Sequence, residues 1–437
     1  MLVGAGGPGA NASWHNPAVG GPFARRRDDA ATGEGRSTKP LEGVRVVEVG
    51  QYIAAPYCAM LLADQGAEVI KVERPDGGDP RRGYDPLVER GGKRTSGGFV
   101  PYNRNKKSVT LDLSTEPGGK VFRRLLRTAD VLVENLRPGA LDRAGLGVEE
   151  IQRINPRLVY CAISGYGRAP GFQGPYSDRL AFDTAVQAMS GIMSVVGEAG
   201  GPPSPSVFGF ADVYTAVFGA AAICMALFAR ERTGRGAFID QAMYDACVSL
   251  LDRSLFLYGL TGHVPSRGVD EYAPLGALRA SDGHVAVVIP TDDMWRRFCA
   301  AIERPDLLDR ADLSTVLLRS KHFPDVVRPE AEAWTRVRSR AEVVARFAEH
   351  GLPAGEVQTV DEVYACPQVD ARGLLLEVDD PAMGRVRVAR TPLLSPEWDG
   401  VPAGPSPQLG EHTDEVLGAL PGVGPAEIAA WRAEGVI

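Results

Sequence analysis

The chain has 437 residues, 44% of them hydrophobic and 24% charged, which leaves apolar mass enough for one large domain and a smaller one. Its formal net charge of −7 excludes a general affinity for nucleic acid, which needs a clustered basic surface, so any anionic ligand has to be met by a local basic pocket. Six scattered cysteines, Cys58, Cys161, Cys224, Cys247, Cys299 and Cys366, form no Cys-x-x-Cys pair and no metal-ligand spacing with a histidine, and read as reduced thiols of a cytoplasmic, metal-free protein.

Residues 1–38 are rich in Gly, Ala and Pro without periodicity, and are expected to be a disordered extension or an over-long translation start. They lack the apolar run of a secretory signal, and Asp28, Asp29 and Glu34 argue against a transit peptide. From residue 41 a rhythm begins: "VRVVEVG" (44–50) predicts a strand, "APYCAMLLADQG" (55–66) a helix ending at glycine, and "AEVIKVE" (67–73) a second strand. Further strands are expected at 108–113, 130–135 and 158–164, with an amphipathic helix at 118–129. This alternation predicts a mostly parallel α/β sheet covered on both faces.

The first strand, turn and helix invite a dinucleotide reading, with Glu73 where an acid would hold a ribose hydroxyl. The turn "GQYIAAP" has Gly50 as its only glycine, however, and Ala54 and Ala55 do not restore the pattern that lets a backbone approach a pyrophosphate. No nicotinamide cofactor is expected. The long loop 74–108 carries Arg74, Arg81, Arg82, Arg104, Lys106 and Lys107, which either meet phosphate charges together or form a solvated surface.

Residues 213–229 carry no charge and follow Asp212 directly. At the lower length limit for a span, and Ala-rich, they predict a buried core helix with no membrane contact. Asp212 itself reads two ways: as an N-cap satisfying an orphan N–H, or as a nucleophile kept ionised by the helix end. Beyond it come a turn, strand and helix (232–259), a linker near 262–275, a smaller α/β unit over 270–358, and a last segment of strands and a helix from 359 to 437.

Six stretches in series carry a family resemblance: "LEGVRVVEVGQYIAAPYCAMLLADQGAEVIKVERPDGGDPRR", "YNRNKKSVTLDL", "ADVLVENLRPGALDRAGLG", "NPRLVYCAISGYG", "RTGRGAFIDQAM" and "LGEHTDEVL". In order and spacing they resemble the class III CoA-transferases, the family of formyl-CoA transferase and carnitine CoA-transferase, with α-methylacyl-CoA racemase as a relative. The resemblance spans residues 40–437 and implies a Rossmann-like large domain (39–260, completed by 359–437), a smaller domain (270–358) and two subunits interlocked as a homodimer. It implies CoA, as an acyl-CoA, held by Arg74, Lys106, Lys107, Asn135 and Arg143, with Arg104 and Arg137 assisting. Asp212 falls on the family's catalytic aspartate, and Asp183 on an acidic position that either handles a proton or carboxylate or is structural.

The implied reaction moves CoA from an acyl-CoA donor to a carboxylic acid through an anhydride and a thioester on Asp212. A racemase would instead carry a histidine at the position of Phe182, and none of the six histidines lies between residues 16 and 262. A non-catalytic CoA-binding protein would be expected to lose Asp212. Two departures concern the acyl pocket formed by Gln51, Tyr52, Ile53 and Ala54: Ile53 replaces the glutamine of the formyl-CoA branch, and the region 270–283 has no run of glycines. Both weaken oxalate as acceptor, and the apolar Ile53 suggests a larger or less polar acyl group.

Overall fold

The computed structural model describes residues 39–198, 200–268, 270, 273–398 and 403–437, so the expectation for residues 1–38 lies outside the described residues. The β-branched runs form strands β1 (Arg45–Val49), β2 (Glu68–Glu73), β3 (Lys106–Thr110), β4 (Val131–Glu134), β5 (Val159–Ser164) and β6 (Phe238–Ala242). All pair in parallel, in the order β3-β2-β1-β4-β5-β6, with Val46 opposite both Val69 and Val131. This is the doubly wound order, and it reverses direction between β1 and β4.

Alternation along each strand serves two cores. Val46, Val69, Val131 and Val159 face a layer containing helix α1 (Ala54–Ala63) and the long helix α2 (Phe210–Thr233). Val47, Ile70, Leu132 and Tyr160 face the other layer, which includes Phe122, Leu125, Leu417 and Trp431. The chain's last residues therefore lie on the sheet, where His412 N–H donates to Ser108 O (2.9 Å) and Asp112 N–H to Val436 O (2.8 Å). A separate core, with Leu278, Val285, Trp295, Phe298 and Phe347, covers an antiparallel sheet of Ala354–Glu356, Gly283–Val288 and Leu275–Ala280.

Helix α2 corrects the expectation of a wholly buried core helix. One face, with Thr215, Ala216, Gly219 and Ile223, is buried, and a Cβ on Gly219 would stand 3.2 Å from Cys58 Sγ, so α2 lies close over α1. The opposite face leaves Val217, Phe218, Met225 and Phe228 exposed. By length and composition alone the helix could cross a membrane; its small-residue face is instead packed on α1 and β5. The helix Asp252–Thr261 beyond it buries none of its residues in this chain and exposes Leu255, Phe256, Tyr258 and Leu260.

Candidate active site

The β1–α1 turn, residues 50–53, is the centre of the site, and it is held rigidly. Asn135 clamps Gln51 from both sides: Gln51 N–H donates to Asn135 Oδ1 and Asn135 Nδ2 to Gln51 O, each at 2.8 Å. Tyr52 takes a left-handed φ of 63°, with its N–H donating to Asp79 Oδ1 (3.2 Å). Gly50 has to be glycine, because a Cβ there would stand 2.8 Å from Ala55 Cβ and from Glu48 Oε1.

Beneath the turn lies a fully buried charge cluster. Lys71 pairs with Glu48 (2.7 Å) and Asp79 (3.0 Å) and donates to Gly50 O (2.8 Å), while Lys106 pairs with the other Glu48 oxygen (2.7 Å) and donates to Pro56 O. Burial pulls Lys106 down to about 8 against the attraction of Glu48, whereas on Lys71 burial is outweighed by Glu48, Asp79 and Glu73 together, and its ammonium is held above the usual value. Glu73 accepts from Arg82 and from Ser108 Oγ at 2.7 Å, and against the effect of burial these partners hold it down at about 2. It is saturated by protein groups and unavailable to a ribose.

These partnerships give the basic loop internal roles. Lys106 is internal; Arg104 is 2% exposed and ion-paired with Asp64; Lys107 bridges Glu68 (2.8 Å) and Glu415 (2.7 Å). Their charges are engaged within the protein, and Asn135 is engaged with the turn. Arg74 and Arg143 are different. Both are exposed, with no ion pair among the described residues, and both line a crevice of about 530 Å³ with Gly50, Gln51, Asp79, Ser114 and Leu141. The crevice lies beyond the carboxyl ends of β1, β2 and β3, beside the point where the strand order reverses, the place where open parallel sheets bind nucleotides. Arg137 is exposed one turn away and does not line it.

Asp212 is the third residue of α2, and it is not the cap. The N-cap is Gly209, at a left-handed φ of 76°, and the capping acid is Asp183: its carboxylate accepts from Ala211 N–H (2.7 Å), Gly209 N–H (3.2 Å) and Gln187 Nε2 (2.9 Å). Gln187, wholly buried, turns its own Oε1 to Ser206 N–H and Oγ, both at 2.9 Å, and so fixes the approach to the helix. The expectation that the helix end keeps Asp212 ionised is likewise corrected. Burial, and then the neighbouring charge of Asp183, push Asp212 up to about 7 against the opposing pull of Arg81.

The turn joins the crevice to this acid. Gln51 lines the crevice, the Ile53 side chain reaches Gly209, where an added Cβ would stand 3.3 Å from Ile53 Cδ1, and the Tyr52 ring meets Phe182 edge-on at 5.5 Å. Ala54 opens α1, whose first turn has no side-chain cap. Sequence reasoning grouped Arg81 with the phosphate cations and did not single out Tyr102. Both lie close enough to Asp212 for their charges to act on one another, with burial the main reason the Tyr102 hydroxyl is raised.

The fold is thus a doubly wound α/β sheet with a crevice lined by two arginines that have no ion pair among the described residues, and with a half-buried, weakly acidic carboxylate across the 50–53 turn. Residues 41–413 match the family described as CoA-transferase family III, and the chain belongs to that family. It is 36% identical over 383 residues to a succinyl-CoA:mesaconate CoA-transferase of Haloarcula hispanica (86% of this chain, 95% of that protein). It is 34% identical over 390 residues to a succinate–glutarate CoA-transferase of Agrobacterium fabrum (87% and 96%). The crystal structure of a CAIB/BAIF family protein from Brucella suis superposes with a TM-score of 0.76 at 34% identity, covering 91% of this chain and all of that one. The chain is thus an enzyme of the class III CoA-transferase family, whose substrates are acyl-CoA and carboxylic acids.

Proposed function

We propose that this enzyme transfers CoA from a dicarboxylic acyl-CoA, with succinyl-CoA as the first donor to test, to a second carboxylic acid, using Asp212 as the covalent nucleophile. The relatives named above are CoA-transferases of succinyl-CoA or succinate, which supports the donor class. The observation that carries the role of Asp212 is its lack of a hydrogen-bonded partner among the described residues, beside Asp183, which takes over the capping of α2.

In the reaction, an Asp212 oxygen attacks the thioester carbonyl of the donor, the C–S bond breaks, and a mixed anhydride forms with release of CoA thiolate. The thiolate attacks the Asp212 carbonyl, expelling the donor acid and leaving an aspartyl-CoA thioester. The acceptor carboxylate attacks that thioester, re-forming an anhydride and thiolate, and the thiolate then attacks the acceptor carbonyl to give the new acyl-CoA and free Asp212. Each step exchanges one acyl bond for another of similar energy, so no external energy source is needed. A carboxylate with a pKa near 7 is a stronger nucleophile than an ordinary one and is still substantially ionised at neutral pH. Uncapped N–H groups of the first turn of α1 are suited to receive the oxyanions.

In this reading the CoA phosphates lie in the crevice against Arg74 and Arg143, and the pantetheine arm follows the 50–53 turn to Asp212. The enzyme works as a cytoplasmic homodimer, and the exposed apolar residues of α2 and of Asp252–Thr261 support a second subunit against them. Phe182 beside Tyr52 offers no proton-transferring group, which disfavours a racemase. The test is trapping: incubation with succinyl-CoA, quenching with hydroxylamine or borohydride, and peptide mapping. Modification at Asp212, and its loss in Asp212→Ala together with CoA exchange, is expected; active enzyme that is never modified at Asp212 would contradict the proposal.

A further inference from the structure

Of the cations in the segment 74–107 that are buried or half-buried, one stands without a carboxylate partner among the described residues. Arg82 is matched by Glu73, Arg104 by Asp64, Lys106 by Glu48 and Lys107 by Glu68 and Glu415, whereas no carboxylate of the described residues lies within ion-pairing distance of Arg81. Yet Arg81 is only 7% exposed. A cation so far removed from water is costly unless an anion answers it.

Its side chain is also pre-set. Asp79 Oδ1 accepts from Arg81 N–H (3.0 Å), Arg81 Nε donates to Gly98 O (2.5 Å), and the guanidinium lies between the rings of Tyr102 (4.9 Å) and Tyr84 (5.2 Å). Those contacts use one edge and the faces of the plane, leaving the two terminal nitrogens as a fork of the kind that takes a carboxylate in pairs of hydrogen bonds. The same Asp79 oxygen holds Tyr52 N–H, so Arg81 and the 50–53 turn share one anchor. Arg81 does not line the crevice of Arg74 and Arg143, and a CoA phosphate is therefore not its partner. Its charge acts on Asp212 instead.

We propose that Arg81 is the specificity-determining residue that binds the second carboxylate of a dicarboxylic substrate while the first reacts at Asp212. This rests on the covalent transfer reading above, and it assigns the recognition of the dicarboxylate to a residue of this chain. The tyrosine rings and the Gly98 carbonyl soften the unpaired charge in the empty site, and the substrate completes its pairing.

The test compares acids matched in skeleton, glutarate with valerate and mesaconate with tiglate, as acceptors from succinyl-CoA. In a ping-pong reaction kcat/KM for the acceptor does not depend on the donor, so the ratio within each pair isolates recognition of the second carboxylate. The wild type is expected to favour the dicarboxylate. Arg81→Met should reduce that ratio about 30-fold or more, chiefly through KM, and Arg81→Lys should restore part of it. Equal losses for both members of a pair, or a wild type indifferent to the second carboxylate, would overturn the proposal, because a merely structural Arg81 affects all acids alike. Wild-type enzyme that transfers CoA to none of the four acids would contradict the transfer reading itself, and this inference with it.

Discussion

The two sides of the 50–53 turn differ in how their charges are answered. Below it, Glu48, Lys71, Lys106, Asp79, Glu73 and Arg82 are all ion-paired at 2.7–3.0 Å, and all but the part-exposed Arg82 are buried. Above it, the half-buried Asp212 and the buried Arg81 have no oppositely charged partner within ion-pairing distance among the described residues, and Arg74 and Arg143 face an open crevice. The satisfied side makes a stiff platform, and the unsatisfied side is where a ligand's charges are needed. The two aspartates at the start of α2 repeat the contrast at the scale of one helix end, since Asp183 accepts from three N–H groups and Asp212 has no hydrogen-bonded partner among the described residues.

Breaking the reactive side should cost the most activity. Asp212→Asn is expected to lower CoA transfer by about 10⁴-fold or more, measured in steady state, with CoA binding retained. Breaking the platform should instead cost stability. Lys71→Met strands Asp79 without its cation and leaves Glu48 with Lys106 alone, and should destabilise by about 3–5 kcal/mol in urea unfolding.

The contrast also has a pH signature. Asp212 is raised from 3.8 to about 7 in the folded chain, so its contribution to stability is full below the unfolded value and is lost as pH rises through about 7. Asp212→Asn removes that loss, and should be more stable than wild type by roughly 2–4 kcal/mol at pH 8 while the gap narrows toward pH 5, by thermal unfolding in matched buffers. For the same reason log kcat/KM of the wild type should rise with unit slope up to about pH 7 and then level, and Asp183→Asn should move that bend to lower pH. The smallest effects separate the cations. Arg74→Ala or Arg143→Ala should raise KM for the acyl-CoA about tenfold with kcat nearly unchanged, whereas Lys107→Ala, which removes only part-exposed ion pairs, should leave KM within about twofold.

Most of the sheet was legible because β-branched runs mark strands regardless of partner. The start of β3 was not. Lys106 and Lys107 look like solvent or ligand residues, and only the Glu48 pairing, made across the sheet from β1, reveals Lys106 as interior. Charge is visible in a sequence, but its partner is a tertiary fact, and so the carboxylate partners of Arg104, Lys106 and Lys107 were not legible, nor was the crevice that Arg74 and Arg143 line. Asp212 stood out because an acid before seventeen uncharged residues is conspicuous, yet its capping role belonged to Asp183, which reaches α2 from a separate helix. The two-faced exposure of α2 was hidden by a composition that is apolar all round.

The central claim, that Asp212 is acylated in each turnover, is tested most directly by oxygen tracing. With an ¹⁸O-labelled acceptor acid and an unlabelled succinyl-CoA donor, the bridging oxygen of the second anhydride stays on Asp212, and in a later turnover, when that oxygen attacks the donor, it leaves with the released succinate. Mass spectrometry should therefore find ¹⁸O in the peptide containing Asp212 and one ¹⁸O per succinate released over many turnovers. Continued CoA transfer with an unlabelled Asp212 and unlabelled succinate would contradict the account.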